Sequence, residues 1–511
     1  MGRNEAIQQR DEEHVSTATA QAGIDEPALW RQRLWPALGA LLAVRLAALA
    51  LNRTDLFFDE AQYWTWSLEP AFGYYSKPPL IAWVIALSTS VCGATEFCIR
   101  LPSPLIHTAT AAAIFALGSR LYSARTGFLA ALAFATLPGI SLSAGIISTD
   151  VPLLLCWALG LVALAALIED RTSWWPGLLL GAALGLGLNA KYAMAYFVLC
   201  TGVYIAVSPA RRWLLGDRRL WLGLALGVLL ILPNLSWNAS NSFATFSHTA
   251  DNAKWSGALF HPGKALEFFG AQFGVFGPVL FGALLVITVR WWRLGLTETD
   301  RLLLAFCLPL ILIVTLQALI SRAHGNWAAP AYVSATVLVI ATAEREIGQR
   351  WLKASFWING AAMALMIPAV ALAGQFNLPG VGDPFARTLG WREVAAATRA
   401  RLDEARARGQ PFGAVITDER ALTAELLYYM RSERTPVLAW LGGGKPQDHY
   451  ELKRPFAKGS PEPVLLVALR ADSGAILKRF ERMEQELRAD LPAGRSARRR
   501  VTFYRLAGFR S

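Results

Sequence analysis

Charge is scarce in this chain. Of 511 residues, only 17% are Asp, Glu, Lys or Arg, where a soluble domain carries about 25%. Too little charge is present to cover a chain of this length in water, so a purely soluble protein is excluded. Cysteine is rarer, with five residues at positions 92, 98, 156, 200 and 307, and none stands at a metal or redox spacing. Four read as small core residues. Cys92 and Cys98 pair only if their loop faces an oxidising compartment. Residues 1–34 are polar and lack the short apolar core of a cleavable signal, so the first apolar run reads as an uncleaved anchor. No HExxH motif, internal repeat or glycine-rich phosphate loop is found. The GGG at 442–444 lacks the following Lys-Ser/Thr and reads as a turn.

Hydrocarbon is abundant instead: 54% of the residues are hydrophobic and 19 are tryptophan. Apolar runs of spanning length recur at 35–51, 101–118, 127–144, 151–168, 174–188, 192–208, 220–234, 268–289, 302–320, 327–343 and 354–373. The shorter run 79–92, bracketed by prolines and a glycine, reads as an interfacial or re-entrant helix. With eleven spans and the N-terminus inside, one set of loops holds seventeen Lys and Arg and the other seven before the tail, which sets the orientation by the positive-inside rule. The net charge of +12 then reflects cytoplasmic loops, anionic headgroups or an anionic substrate, and no nucleic acid is called for.

The expectation is an all-α polytopic membrane protein of about eleven transmembrane helices with a C-terminal soluble α/β domain. Residues 1–34 form a cytoplasmic segment, 35–375 the membrane domain with a large first outer loop at 52–100, and 376–511 a periplasmic domain. That tail, with 24 basic and 16 acidic residues, alternates helical patterns (391–408, 419–431, 474–488) with strand-like runs (413–417, 436–440, 463–469, 500–506). The RSARRR run at 495–500 reads as a solvated face or linker.

The chemistry-bearing residues gather in the outer loops. The stretch FFDEAQYWTWSLEPAFGYYSKPP at 57–79 sets Asp59 and Glu60 before a run of rings, among them Trp64, Tyr74 and Tyr75, and places Lys77 before two prolines. Asp followed by Glu also fits a helix cap and first turn, and the two roles are compatible. Held among aromatic rings, a carboxylate can gain the raised pKa a general base requires. Interfacial Trp and Tyr account for most of the rings by themselves. Lys77 has an ordinary alternative too, snorkelling to headgroups. Asp150 precedes a span, as a helix cap would. Lys191 and Arg100 stand at span ends, where each can meet a lipid phosphate or a headgroup. His248 in FSHTADNAKW, and His324 and Asn326 in HGNW, share the outer side. No ligand spacing assigns a metal or other cofactor; a divalent cation is left open. Arg45, inside the first span, has to face the bundle or a polar cavity.

The ordered set DEAQYW, GYYSKPPLIAW, CIRLPS, STD before a span and a late outer NW resembles the bacterial lipid-linked-sugar glycosyltransferases of the GT-C superfold, which include the aminoarabinose transferase of lipid A and the protein O-mannosyltransferases. DEAQYWTWS, SHTADNAKW and the tail's DHYEL bring it nearest to the rhizobial type that adds galacturonic acid to lipopolysaccharide. The resemblance implies an inverting transferase that takes sugar from a polyprenyl-phosphate donor to a glycolipid acceptor, lipid A or core oligosaccharide, among membrane lipids. It implies Asp59 as catalytic base, Asp150 as second acid and Lys77 at the donor phosphate. Glu60 joins the catalytic acids, Lys191 and Arg100 the phosphate site, and Trp64, Tyr74, Tyr75, His248, His324 and Asn326 the substrate site. Ser76 stands where the aminoarabinose enzymes carry Glu. Protein O-mannosylation and a non-enzymatic lipid-linked-sugar transporter are the alternatives. A transporter would place its ionisable groups at mid-membrane, and here most lie in loops.

Overall fold

The computed structural model describes residues 26–253, 259–290, 293–442, 444–470 and 473–510. Most of the expected N-terminal segment, the Lys254 end of the SHTADNAKW loop and the middle of the GGG turn lie outside the described residues.

Helices dominate up to residue 371. Among the described residues six are long and apolar enough to cross a bilayer: Pro27–Ala50, Glu96–Leu121, Asp150–Glu169, Arg218–Ser240, Glu298–Ile320 and Gln349–Ala371. The bent pair Pro262–Val275 and Pro278–Val289 passes the same test only as a pair, as a broken span or a re-entrant loop. The run 268–289, expected as one span, is therefore broken by 117° at Gly277, whose φ of 87° suits a residue without Cβ. Ala124–Thr136, Trp175–Ala190 and Tyr192–Val207 are apolar but shorter, so the count of eleven is not established by helix length. Leu80–Cys92 has thirteen residues, about 20 Å of helix, well short of a hydrocarbon core of about 30 Å.

Prolines open several helices (Pro102, Pro138, Pro262, Pro278), where the missing N–H costs nothing. Glycines let two helices approach closely. A Cβ on Gly181 would lie 2.7 Å from Leu226 Cβ, and one on Gly185 2.5 Å from Leu230 Cβ. Trp175–Ala190 thus packs backbone-close against Arg218–Ser240, the small-residue packing of membrane helices. Arg45 turns inward and donates to the carbonyl of Ala135.

The tail holds one six-stranded sheet in the order β3-β2-β1-β4-β6-β5. Its strands are β1 (Ala414–Thr417), β2 (Val437–Trp440), β3 (Pro455–Phe456), β4 (Val464–Ala468), β5 (Phe480–Ala493) and β6 (Ala497–Phe509). β1 to β4 run parallel; β6 pairs antiparallel with β4 and with β5. Helices Trp391–Ala407 and Arg420–Tyr429 cover one face. The expected helix at 474–488 is instead a short turn of helix, Gly474–Leu477, followed by β5. RSARRR, expected as a solvated face or linker, opens β6 with Arg498 and Arg500 exposed: Arg499 stacks on Trp391, 3.5 Å from its ring centroid, and Arg500 meets Asp490 across the hairpin.

The tail docks on the first loop. Helix Phe58–Ser67 packs against Arg420–Tyr429, and Trp64, Trp66, Tyr74 and Ile81 share one apolar core with Ala424, Tyr428 and Tyr450. The loop, its short helices and the tail form a single cap beside the membrane helices.

Candidate active site

Helix Phe58–Ser67 splits the paired acids. Successive helical residues point about 100° apart, so Asp59 and Glu60 face different surroundings. Glu60 is fully buried. It accepts from Phe57 N (2.9 Å), closing the helix start, from Ile147 N (2.9 Å) and from Arg100 Nη2 (2.7 Å) and Nε (3.0 Å). Arg100, 1% exposed, gives its remaining donors to the carbonyls of Thr54 and Asp55. Both residues were expected at the reaction centre. The structure closes them on each other in a buried ion pair, Arg100 also lining the apolar cavity by the first loop.

With Glu60 closing the helix start, Asp59 opens outward. Its Oδ1 accepts from Arg420 Nη1 (3.1 Å), and the same nitrogen donates to Gln62 Oε1 (2.6 Å). This pair is half-open, its side chains 35% and 37% exposed. Lys77 approaches from the same loop. Gly73 meets Trp237 with no room for a Cβ, Asn234 Nδ2 donates to Phe72 O (2.7 Å), and Thr245 Oγ1 to Tyr74 O (2.7 Å). These ties, and the prolines that start the next helix, fix the lysine's backbone. Its ammonium feels Asp59, Asp150, Lys191 and Arg420 and makes no hydrogen bond among the described residues. Burial and the Lys191 charge push its pKa below the ordinary lysine value, against the pull of the two carboxylates.

Asp150 opens helix Asp150–Glu169 without acting as a backbone cap. Its Oδ1 accepts from Lys191 Nζ (2.7 Å) and its Oδ2 from Asn326 Nδ2 (2.6 Å), gathering three segments far apart in sequence. His248 lies beside Tyr75, ring centroids 5.6 Å apart, and burial pushes its pKa down to about 4, so it is neutral at physiological pH. Tyr75 donates to Pro446 O (2.9 Å) from the tail.

Three further expectations fare differently. Trp64 packs edge-on against Tyr428, and Tyr74 stacks on Trp66 at 4.6 Å. Both are buried in the core between loop and tail, where no ring face is free for a sugar. His324 is exposed and leans on Trp327, within reach of the Lys191 charge. Ser76 sits within 3.5 Å of Gln62 Nε2. Among the described residues no group of three or more His, Cys, Asp or Glu is placed to hold a metal.

Arg420 and Gln62 escaped the sequence reading. Arg420 follows β1 at the carboxyl end of a parallel strand, where open α/β sheets place functional groups, and that is the signal available for it. Near the first loop an apolar cavity of about 270 Å³ opens among Leu49, Phe57, Leu142, Met366 and Ile367, with Arg45 and Arg387 at its wall. Cys92 and Cys98 form a disulfide at the end of Leu80–Cys92.

Residues 76–237 match the family model of dolichyl-phosphate-mannose-protein mannosyltransferases. A lipid A galacturonosyltransferase of Rhizobium johnstonii is 35% identical over 416 residues, covering 80% of this chain and 84% of that protein. The crystal structure of ArnT from Cupriavidus metallidurans in the apo state superimposes with a TM-score of 0.60 at 16% identity, over 92% of this chain and 97% of that one. The same enzyme bound to undecaprenyl phosphate gives 0.59 at 15% identity, over 94% and 98%.

Proposed function

The chain belongs to the GT-C glycosyltransferase family that includes the lipid A galacturonosyltransferase of Rhizobium, and on that premise we propose that it moves a galacturonic-acid-type sugar from a polyprenyl-phosphate donor to lipid A or the lipopolysaccharide core, with inversion, at the periplasmic face of the inner membrane. The observation that carries this reading is that Lys77, without a hydrogen bond among the described residues, feels Asp59, Asp150 and Lys191 together beside the half-open Asp59–Arg420 pair.

The reaction follows from those charges. Asp59 takes the proton of the acceptor hydroxyl, whose oxygen bonds to the anomeric carbon from the face opposite the phosphate. The bond from that carbon to the phosphate oxygen breaks, and its electron pair leaves with polyprenyl phosphate. Lys77 meets the charge growing on that phosphate. Asp150 holds Lys191 and Asn326 in place around it. The apolar cavity by the first loop suits the hydrocarbon of a lipid substrate. A solved relative in fold carries undecaprenyl phosphate, which supports the donor class.

Orientation has three supports. The loop charges divide seventeen to seven. The tail touches the first loop, so an even number of crossings separates them; ten do under an eleven-span count. A disulfide in the first loop fits an oxidising compartment.

The test is the purified full-length protein in bilayers with polyprenyl-phosphate galacturonate and lipid A, read by mass spectrometry. One added hexuronic acid per lipid and one polyprenyl phosphate released are expected. Asp59→Asn is expected to lower turnover by about 10²–10⁴-fold; a folded variant at wild-type rate would remove Asp59 from the base role. The family model's name favours one second reading, a protein acceptor, and a glycoprotein product in place of a modified lipid would establish it. Transport without consumption of donor would mark a carrier instead.

A further inference from the structure

We infer that Arg420, delivered by the tail, reads the carboxylate of the transferred sugar and makes the site selective for uronic-acid donors; this rests on the transferase reading above. Arg420 touches Asp59 and Gln62 through Nη1 alone. Its Nε and Nη2 make no hydrogen bond among the described residues, and the guanidinium lies over Phe58, 5.0 Å from the ring centroid. A planar cation packed on a ring, with one edge spent on the base and two N–H groups facing an opening, is the geometry that takes a carboxylate side-on.

Charge counting points the same way. Of the cations around Asp59, Lys191 is paired to Asp150 at 2.7 Å and Arg100 is closed on Glu60. Lys77 makes no hydrogen bond, and Arg420, though paired with Asp59, keeps its Nε–Nη2 edge free among the described residues. His248 is neutral, its pKa pushed down to about 4, and adds no third charge. A polyprenyl-phosphate uronate carries two anionic groups, the phosphodiester for Lys77 and the carboxylate for the free edge of Arg420. A neutral hexose donor would leave Arg420 with nothing to hold beyond Asp59. Its sequence position gives a reason for the tail to dock on the loop: without it the cleft lacks this cation.

The experiment compares polyprenyl-phosphate galacturonate with polyprenyl-phosphate galactose, which differ only at C6, on the full-length protein in bilayers. Hydrogen bonds to charged groups are worth about 1.5–3 kcal/mol, so the wild type is expected to favour the uronate by about 10–10²-fold in kcat/KM. Arg420→Gln is expected to erase that preference by raising the KM of the uronate donor well beyond that of galactose, over and above any fall in turnover that the lost contact with Asp59 causes for both donors alike. Arg420→Lys, which keeps the charge without the fork, is expected to recover part of it. A preference unchanged in Arg420→Gln overturns the inference. So does a fall in kcat for both donors with no selective rise in the uronate KM, which would make Arg420 only a positioning residue for Asp59. A wild type that favours galactose overturns it while leaving the transferase reading standing. A wild type inert with both donors overturns that reading and the inference together.

Discussion

At the scale of single residues, Asp59, Lys77, Asp150 and Lys191 were legible because a charge at the edge of an apolar segment is costly and needs a reason to be there. What the sequence hides is the direction a side chain takes. Asp59 and Glu60 are adjacent and chemically alike, yet one faces the cleft and the other is buried with Arg100. No pattern within DEAQYW tells which. The structural role of the pair has a measurable signature. Removing one partner of a buried ion pair leaves an unpaired charge and costs about 3–5 kcal/mol, whereas replacing both by neutral groups of similar size is often tolerated. Arg100→Met is therefore expected to lower thermal stability sharply and to reduce the yield of folded protein, with turnover per folded molecule kept within a few-fold. The double variant Glu60→Gln with Arg100→Met is expected to recover much of the stability. Turnover and donor KM, normalised to folded protein by size-exclusion, check this. A large rise in donor KM at unchanged stability would restore Arg100 to the phosphate site.

At the scale of elements, apolar runs located the membrane helices well, since hydrocarbon forces backbone groups into helices. Their breaks were less legible. A glycine at 277 is one of many in the chain, and only the neighbouring helices decide that it bends a span. The strand β5 was misread for a related reason. FERMEQELRAD is rich in good helix formers, and as an edge strand it shows little apolar alternation. Its state is decided by pairing with β6, where Glu484 faces Arg505 and Asp490 faces Arg500; the signals for a hairpin were Pro492 and the turn at Gly494, φ 79°. The glycine seam between Trp175–Ala190 and Arg218–Ser240 was open to reading as a small-residue repeat and went unread. Gly181→Ala is expected to cost about 1–3 kcal/mol by overpacking, because its Cβ would also lie 2.8 Å from the carbonyl of Gly223. Gly39→Ala, in a helix with nothing within 4 Å of the added carbon, is the control and is expected to be neutral or slightly stabilising. Melting temperatures in detergent distinguish the two, and equal values would remove the tight seam.

At the scale of the whole molecule, the docking of tail on loop had no sequence signal, because it rests on an apolar core and on pairs such as Asp55–Arg392 and Asp59–Arg420 whose partners lie hundreds of residues apart. One group in that interface carries a titration. Glu425 lies in helix Arg420–Tyr429, fully buried, with neither carboxylate oxygen hydrogen-bonded among the described residues. Desolvation drives its pKa far above the ordinary carboxylate range; Asp55 and Glu60 push it further up, and Arg499 and Arg100 oppose. A folded-state pKa above the unfolded one means the interface is favoured while the group is protonated in both states, below about pH 4. That advantage is lost progressively as pH rises from there toward the folded value. Asp55, its pKa raised by burial to about 6, adds a loss of the same sign over a narrower window, so the wild type alone cannot isolate Glu425. The difference between wild type and Glu425→Gln does, because glutamine keeps the shape and does not titrate. The variant is expected to gain melting temperature relative to wild type as pH goes from 5 to 8, and to hold transferase activity further into the alkaline range, since the tail that carries Arg420 stays docked. Tryptophan-fluorescence melts at several pH values supply the measurement. A constant offset between the two proteins across that range would show that Glu425 does not change its charge on undocking.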